Sequence, residues 1–355
     1  MSTAPASFGH RLLRWFDANR RDLPWRRTRD PWAIWVSEVM LQQTRVEAVR
    51  DSYERFVRRF AAPADFAAAS DDELLAAWRG LGYYRRARLL RDGARRVVAE
   101  HSGRVPSDPA ALAELPGIGP YTLGALASIA FGHAVVALDG NVERVTARHR
   151  GIRTAVRSSP ARERVRASVA GWLDRDRPGD FNQALMELGA MVCTPASPGC
   201  DRCPVAGDCV AHAAGLTGEL PVKAPRRAAV DVQARVAFAA RGAEVLGVRV
   251  PAGEPNAGQI ELPGAGVLVD TGEPELAAAL RRRFAARVEI GAELARVRHA
   301  ITHHRIVLHA HAATVRERGR LQWFPLDEPT PWSTPARKVF RQILGADGTG
   351  GAMRA

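Results

Sequence analysis

All four cysteines of this 355-residue chain, Cys193, Cys200, Cys203 and Cys209, fall within 17 residues and are spaced C-x6-C-x2-C-x5-C. Thiols gathered this way, with none elsewhere, read as a metal site rather than as dispersed structural cysteines. Zinc sites usually show two close cysteine pairs. Here only Cys200 and Cys203 are close, and the wide outer spacings suit a larger iron–sulfur cluster. Zinc and a pair of disulfides are the alternatives, the disulfides being at odds with a reducing cytosol.

Two carboxyls carry a second kind of chemistry. Glu38 has Ile34, Trp35, Leu41 and Gln42 as its helical neighbours three and four positions away. On such an apolar face, desolvation raises a carboxyl pKa and favours the protonated form that a general acid needs. A glutamate paired with a buried arginine is the plainer alternative. Asp139 follows the apolar run "VVAL" and precedes Gly140-Asn141. It suits a helix cap, and equally a carboxylate that stabilises a cationic sugar near bound phosphates.

Between them lies "LPGIGPYTLGA" (Leu115–Ala125), with three glycines and two prolines. Gly117 and Gly119 permit left-handed backbone and close approach, and Pro120 opens the next helix. The turn directs backbone N–H groups outward at a helix N-terminus, where a nucleic-acid phosphate could sit. An ordinary tight turn between two helices is the alternative.

The elements that must hold these residues are helical from Asp30 to about Ala211. "DPWAIWVSEVMLQQTRVEAV" begins with an aspartate cap and a proline at the first helical position and is apolar nearly all round, as a buried helix is. "DDELLAAWRGLGYYRRARLLRDGARRVVAEH" reads as a helical run broken around Gly80 and Gly82. "LPVKAPRRAAV" (Leu220–Val230) reads as a linker. Beyond it, "VDVQARVAFAARGAEVLGVRV" and "HHRIVLHAHAATV" alternate as strands do, and "EPELAAALRRRFAARV" reads as one helix, so a small α+β domain is expected. The tail "GADGTGGAMRA" is expected to be disordered.

The net charge is +13, from 51 basic and 38 acidic side chains. Only Lys223 and Lys338 are lysines, which leaves 49 arginines. Residues 1–222 carry 31 basic and 25 acidic groups, and residues 223–355 carry 20 and 13, so the excess is spread over both parts. Such a surplus suggests a polyanionic partner. A genome that writes Arg for Lys would explain the kind of cation but not the surplus. No uninterrupted apolar run approaches the roughly 18 residues of a membrane span, and the N-terminal "MSTAPASFGHRLLRWF" reads as a frayed end entering an amphipathic helix rather than a signal peptide. A cytoplasmic, nucleoid-associated location, no membrane and a monomeric state are expected.

Seven segments in order resemble the helix–hairpin–helix DNA glycosylases with a four-cysteine iron–sulfur cluster, and among them the adenine DNA glycosylases of the MutY type. They are "LPWR" (Leu23–Arg26), "WVSEVMLQQT" (Trp35–Thr44), "GLGYYRRARLL" (Gly80–Leu90), "LPGIGPYT", "LDGNVERV" (Leu138–Val145), "FNQALMELGAMVCT" (Phe181–Thr194) and the cysteine cluster. The resemblance covers residues 8–222 closely and the remainder loosely. It implies a mainly α N-terminal region over 1–222, made of two helical subdomains with a cluster loop at 193–209. A linker over 223–229, a Nudix-like α+β lesion-recognition domain over 230–345 and the tail over 346–355 would follow.

The same resemblance implies that adenine is flipped from duplex DNA and removed opposite 8-oxoguanine. Glu38 would protonate the departing base, and Asp139 would stabilise or trap the oxocarbenium-like sugar. Tyr121 and Asn141 match positions that support the sugar and Asp139. Arg26, Leu41 and Gln183 match the adenine pocket. Gln43 and Tyr83 match wedges into the base stack, where an aromatic replaces lost stacking. The cysteines would hold one [4Fe-4S] cluster.

Relatives that also cut the strand form a Schiff base through a lysine. Tyr121 stands after Pro120, and residues 1–222 contain no lysine, so base removal alone is expected; the N-terminal amine is the exception left open. The alternatives are a bifunctional endonuclease III-like enzyme acting on oxidised pyrimidines and a non-catalytic damage-binding protein. In the C-terminal part, a "GLWxFP"-type stretch is replaced by "GQIELPG" (Gly258–Gly264). The lesion-reading Phe-Ser-His is replaced by Ile301-Thr302-His303, which keeps a hydroxyl and an imidazole but removes the aromatic. Without the glutamates of a Nudix box, no magnesium pyrophosphatase is expected. A solvated strand end is the plain reading of His303 and His304.

Overall fold

The computed structural model describes residues 7–156, 158–222, 228–251, 254, 257–270, 272–327 and 330–345. The expected tail (346–355), most of the expected linker (223–227) and the frayed start (1–6) lie outside the described residues. Two compact units divide the chain: residues 1–69, 80–82 and 86–225 form one, and residues 70–79, 83–85 and 226–355 the other.

The first unit is helical. Helix α1 (Phe8–Asn19), capped by Ser7, turns Phe8, Leu12, Leu13 and Phe16 inward. In α2 (Pro31–Leu41) the Asp30 carboxylate accepts from the Trp32 and Ala33 N–H groups, as the sequence predicts. The predicted helix does not run on through Val49. It stops at Leu41, Gln43 takes φ 57°, and α3 (Val46–Arg59) starts afresh. The cause lies far off in sequence: Arg86 donates to the carbonyls of Val39, Met40 and Gln42, satisfying the orphan acceptors of a helix end. Helix α4 (Pro63–Ala67) closes an aromatic cluster of Trp32, Phe56, Phe60 and Phe66.

Helix α5 (Asp71–Ala77), grouped with the second unit, carries a complete Ser70/Glu73 capping box. Gly80 and Gly82, at φ 85° and 67°, break the run before α6 (Arg85–Glu100), as expected. The hairpin joins α7 (Pro109–Ala113) to α8 (Pro120–Phe131). Its extended successor leads into α9 (Gly140–His149), then α10 (Ser159–Trp172), α11 (Pro178–Met191) and the short α12 (Val210–Ala213). A core of α1, α9, α10 and α11 side chains, Phe16, Val142, Val165 and Phe181 among them, anchors α9, the helix that Asp139 caps. Buried Asn182 fixes the extended approach to Asp139: its amide accepts from Ala137 N–H (3.1 Å) and donates to Val135 O (2.8 Å) and Ser128 Oγ (2.9 Å).

The second unit is α+β, as the strand-like alternation predicts. Strands β1 (Val230–Phe238), β2 (Ala240–Arg241), β3 (Glu244–Arg249) and β4 (Ile260–Glu261) precede α13 (Glu273–Phe284). Then come β5 (Arg287–Ile301), β6 (His304–Glu317), β7 (Gln322–Pro325) and α14 (Thr334–Leu344). One sheet runs β1-β6-β5, with β1 parallel and β5 antiparallel to β6. The other runs β2-β3-β4, with β7 also on β3. The predicted helix "EPELAAALRRRFAARV" is shorter than expected: Ala285 at φ 53° ends it, and its last residues begin β5.

Candidate active site

Glu38 lies on buried α2 with 5 % of its surface exposed. Tyr121, second residue of α8, donates its hydroxyl to Glu38 Oε2 at 2.5 Å and also lies 3.3 Å from Met186 Sδ. Burial pushes the Glu38 carboxyl up to about 7; the Tyr121 hydrogen bond and the Arg26 charge oppose this, and the Asp139 charge adds to it. Burial, with the Glu38 and Asp139 charges, also drives Tyr121 well above the ordinary phenol range, so it keeps its proton. Because Tyr121 fills Oε2, the acidic proton of Glu38 belongs on Oε1, which meets no protein partner among the described residues. The site can therefore hold a transferable proton at neutral pH in a dry setting.

Asp139 caps α9, accepting from Val142 N–H at Oδ1 (2.7 Å) and from the Asn141 amide at Oδ2 (2.7 Å). Burial raises its pKa, while those donors and the Arg144 guanidinium pull it back. Asn141 is held in turn by Arg144, whose Nη2 donates to Asn141 Oδ1 and to Gly189 O, both at 2.8 Å. Gly189 is where α11 meets this residue: a Cβ there would lie 2.6 Å from Asn141 Cβ. Glu38, Tyr121, Asp139 and Asn141 are thus brought together. Asn141 donates to Asp139, and the Tyr121 hydroxyl donates to Glu38.

Arg26 also acts on this site through its charge on Glu38. It is held by Glu187, which sequence reasoning did not single out. The buried Glu187 carboxylate accepts two bonds from Arg26 (both 2.9 Å) and is also chelated by Arg21 (2.9 and 2.7 Å). Burial pushes Glu187 up, but the hydrogen bonds from Arg21 and Arg26 outweigh it and hold the carboxyl at about 2. Two arginines 161 and 166 residues distant give no local signal of this. Gln183 and Leu41 are half-buried; Gln183 donates to Gly179 O at 3.3 Å. Glu187→Ala strips two arginines of their partner, and should cost about 3–5 kcal/mol in urea unfolding. A loss below about 1 kcal/mol would contradict this clamp. Since the pKa is depressed, the stabilisation is complete above the ordinary carboxylate range and disappears as pH falls towards 2.

The cysteine loop hangs from α9 and α11. Arg148 is fully buried, and donates to Leu220 O (2.8 Å), Thr194 O (2.7 Å), Pro195 O (3.1 Å) and Cys193 Sγ (3.3 Å). Arg144 Nε donates to Cys193 O at 2.8 Å. All four cysteines line one cavity with Arg148. No three or more His, Cys, Asp or Glu side chains among the described residues are gathered as a single-ion site. Four sulfur donors line a common cavity, with an arginine donor at one sulfur, so together they could hold a metal group.

Residues 36–173 match the family described as "HhH-GPD superfamily base excision DNA repair protein". An adenine DNA glycosylase of Rattus norvegicus is 47% identical over 215 residues, 58% of this chain and 42% of that protein. One of Mycolicibacterium smegmatis is 41% identical over 238 residues, 66% of this chain and 78% of that protein. The chain belongs to the adenine DNA glycosylase family. It spans about two fifths of the length of the rat relative. Among solved structures, a thermostable thymine-DNA glycosylase superposes on 58% of this chain and 95% of its own, with TM-score 0.54 and 29% identity.

The remaining residues that this adenine DNA glycosylase family member was expected to use towards DNA lie on turns. Gly117 adopts φ 83°, closed to most side chains, and Gly119 caps α8. Their N–H groups meet no acceptor among the described residues, while Ile118 N–H turns back to Leu115 O. Gln43 and Tyr83 are exposed and both left-handed, at φ 57° and 48°. Thr302 and His303 form the two-residue β5–β6 turn. Thr302, at φ 54°, is a β-branched residue in a region such residues avoid. Its Oγ1 donates to Ile301 O at 2.7 Å and lies 3.3 Å from His303 Nδ1. The His303 and His304 rings stand 4.2 Å apart.

Proposed function

We propose that this chain is a monofunctional adenine DNA glycosylase of base excision repair, hydrolysing the N-glycosidic bond of adenine paired with 8-oxoguanine or guanine. The observation that carries the reading is a buried Glu38 carboxyl, oriented by Tyr121 and protonated up to about pH 7, beside a capped Asp139. The two carboxyls have different environments: Glu38 accepts from a phenol on an apolar helix, whereas Asp139 accepts two hydrogen bonds near Arg144, which favour its ionised form against burial. Glu38 gives its proton to the five-membered ring of the flipped adenine, making it a neutral leaving group. Asp139 faces the positive charge that develops on the sugar, and water completes the exchange. Arg26, Leu41 and Gln183 surround the base, while Gln43 and Tyr83 enter the gap in the stack. The hairpin N–H groups take a phosphate, and Thr302 and His303 read the opposite base in a Nudix-like domain.

Cys193, Cys200, Cys203 and Cys209 would hold a [4Fe-4S] cluster, which ties four chain positions together. Support for base removal alone comes from the Tyr121 hydroxyl, committed to Glu38 in the position after Pro120, and from the lack of lysine in residues 1–222. Incubation with duplex containing adenine opposite 8-oxoguanine should give strand breaks only after alkali. Breaks without alkali that borohydride traps as a covalent complex would assign a lyase instead. Binding without base loss would assign a damage-binding protein.

A further inference from the structure

On strands β5 and β6 most arginines are spent on carboxylates. Arg287 pairs with Glu317 (2.9 Å), Arg296 with Glu293 (3.0 Å) and Arg316 with Glu289 (2.9 Å). Arg298 and Arg305, on the same two strands, have no carboxylate partner among the described residues. Both are exposed and both line one groove at the end of the β1-β6-β5 sheet. In the register, Arg305 lies opposite Ala300 and Arg298 opposite Val307, so the two arginines are diagonal neighbours on one face, about 7–8 Å apart by ordinary sheet geometry. Lys338 of α14 lines the same groove, its Nζ donating to Arg298 O at 2.8 Å. His299 is there too, kept largely neutral by burial and by the Lys338 charge. Against these cations stands Asp231, opposite Arg305 in the register but not ion-paired with it among the described residues, and at the groove's edge Asp270 accepts from Gln233 N–H at 3.4 Å.

Paired arginines are neutralised in place. Two unpaired ones in a concave site, with a lysine between strand and helix, leave a local surplus suited to a polyanion. The groove begins three residues before Ile301 and resumes two residues after His303, so it flanks the left-handed turn on both strands. We propose that this groove is a track for the phosphodiester backbone of a DNA strand, in which Arg298 and Arg305 each engage a phosphate and Lys338 adds charge beside Arg298. The proposal rests on the DNA-binding reading above and extends it to a surface with no base-reading role. Contacts of this kind position a strand without specifying its sequence.

The test is the salt dependence of duplex binding by the full chain, followed by fluorescence anisotropy. In Arg298→Ala/Arg305→Ala the slope of log affinity against log salt should become shallower by about 2, since each phosphate contact contributes about 0.9. Affinity at low salt should fall at least tenfold, equally for mispaired and fully paired duplex. Arg298→Lys/Arg305→Lys should restore most of the slope, which a merely structural role would not predict. Arg287→Ala/Arg316→Ala, which removes paired arginines, should leave it unchanged. A slope in the first variant equal to that of the unaltered protein overturns the track. So does calorimetric binding of deoxyguanosine monophosphate at the groove with no change in slope, which would assign a mononucleotide pocket. Failure of the underlying reading is distinguishable: the unaltered protein would then not bind duplex at all.

Discussion

Glu38→Gln lowers single-turnover adenine release by about 10²–10⁴-fold, the usual worth of a positioned general acid, and leaves duplex affinity unchanged. Glutamine still accepts the Tyr121 hydrogen bond, so the geometry of α2 against α8 is kept and only the proton is lost. The unaltered protein should show release that is full below pH 7 and declines above it, because Glu38 must be protonated to act and titrates near 7. The variant's residual rate should lack that decline. The same substitution carries a stability signature. A carboxyl whose folded pKa is about 7 and whose ordinary value is 4.5 favours folding only when neutral. Its ionisation begins to oppose the fold above pH 4.5 and does so fully above 7, by about 3 kcal/mol at 1.36 kcal/mol per unit. At pH 8 the inactive variant should therefore unfold at higher temperature than the active protein. Wild-type turnover in Glu38→Gln, or a pH profile that rises through 7, would remove Glu38 from the acid role.

Cys203→Ala empties the sulfur site and destabilises the first unit. The purified protein should be brown with about four irons per chain, and the variant colourless. Ligation at the two ends of a 17-residue stretch closes a loop whose unfolded-state entropy corresponds to about 3 kcal/mol, so the loss in stability should be at least that large. Arg148, Arg144 and the carbonyls of Cys193, Thr194 and Pro195 would then keep only part of their arrangement. Zinc in place of iron by elemental analysis of the unaltered protein would overturn the cluster. An iron-free variant as stable as its parent would overturn its role as a staple.

Local signals were readable where one residue acts on its own neighbours. Asp30, Pro31, Pro120 and Asp139 announce helix starts because a cap needs only the next three N–H groups. Glu38 was legible because its helical neighbours are apolar, and burial follows from them. The strands β1, β3 and β6 show in their alternation. What stayed hidden depends on partners distant in the chain. Nothing near Gln42 says that Arg86 will take the last carbonyls of α2, so the break before Val46 has no local signal. Glu187 looks like one more polar letter until Arg21 and Arg26 close on it. Gly189 gives no hint that Asn141 needs its missing Cβ. The end of α13 turns on Ala285, a residue whose type favours helix over the left-handed conformation it takes.

Arg144 joins two places, Asn141 and Cys193, that lie 52 residues apart in the chain. One arm holds the carbonyl of Cys193, the other the amide of Asn141 that steadies Asp139. A slackened sulfur loop would withdraw one support of that arm, and the carboxylate would inherit the looseness without any change in its own sequence. If the loop holds the proposed cluster, its loss would lower the proposed base removal before any loss of grip on DNA.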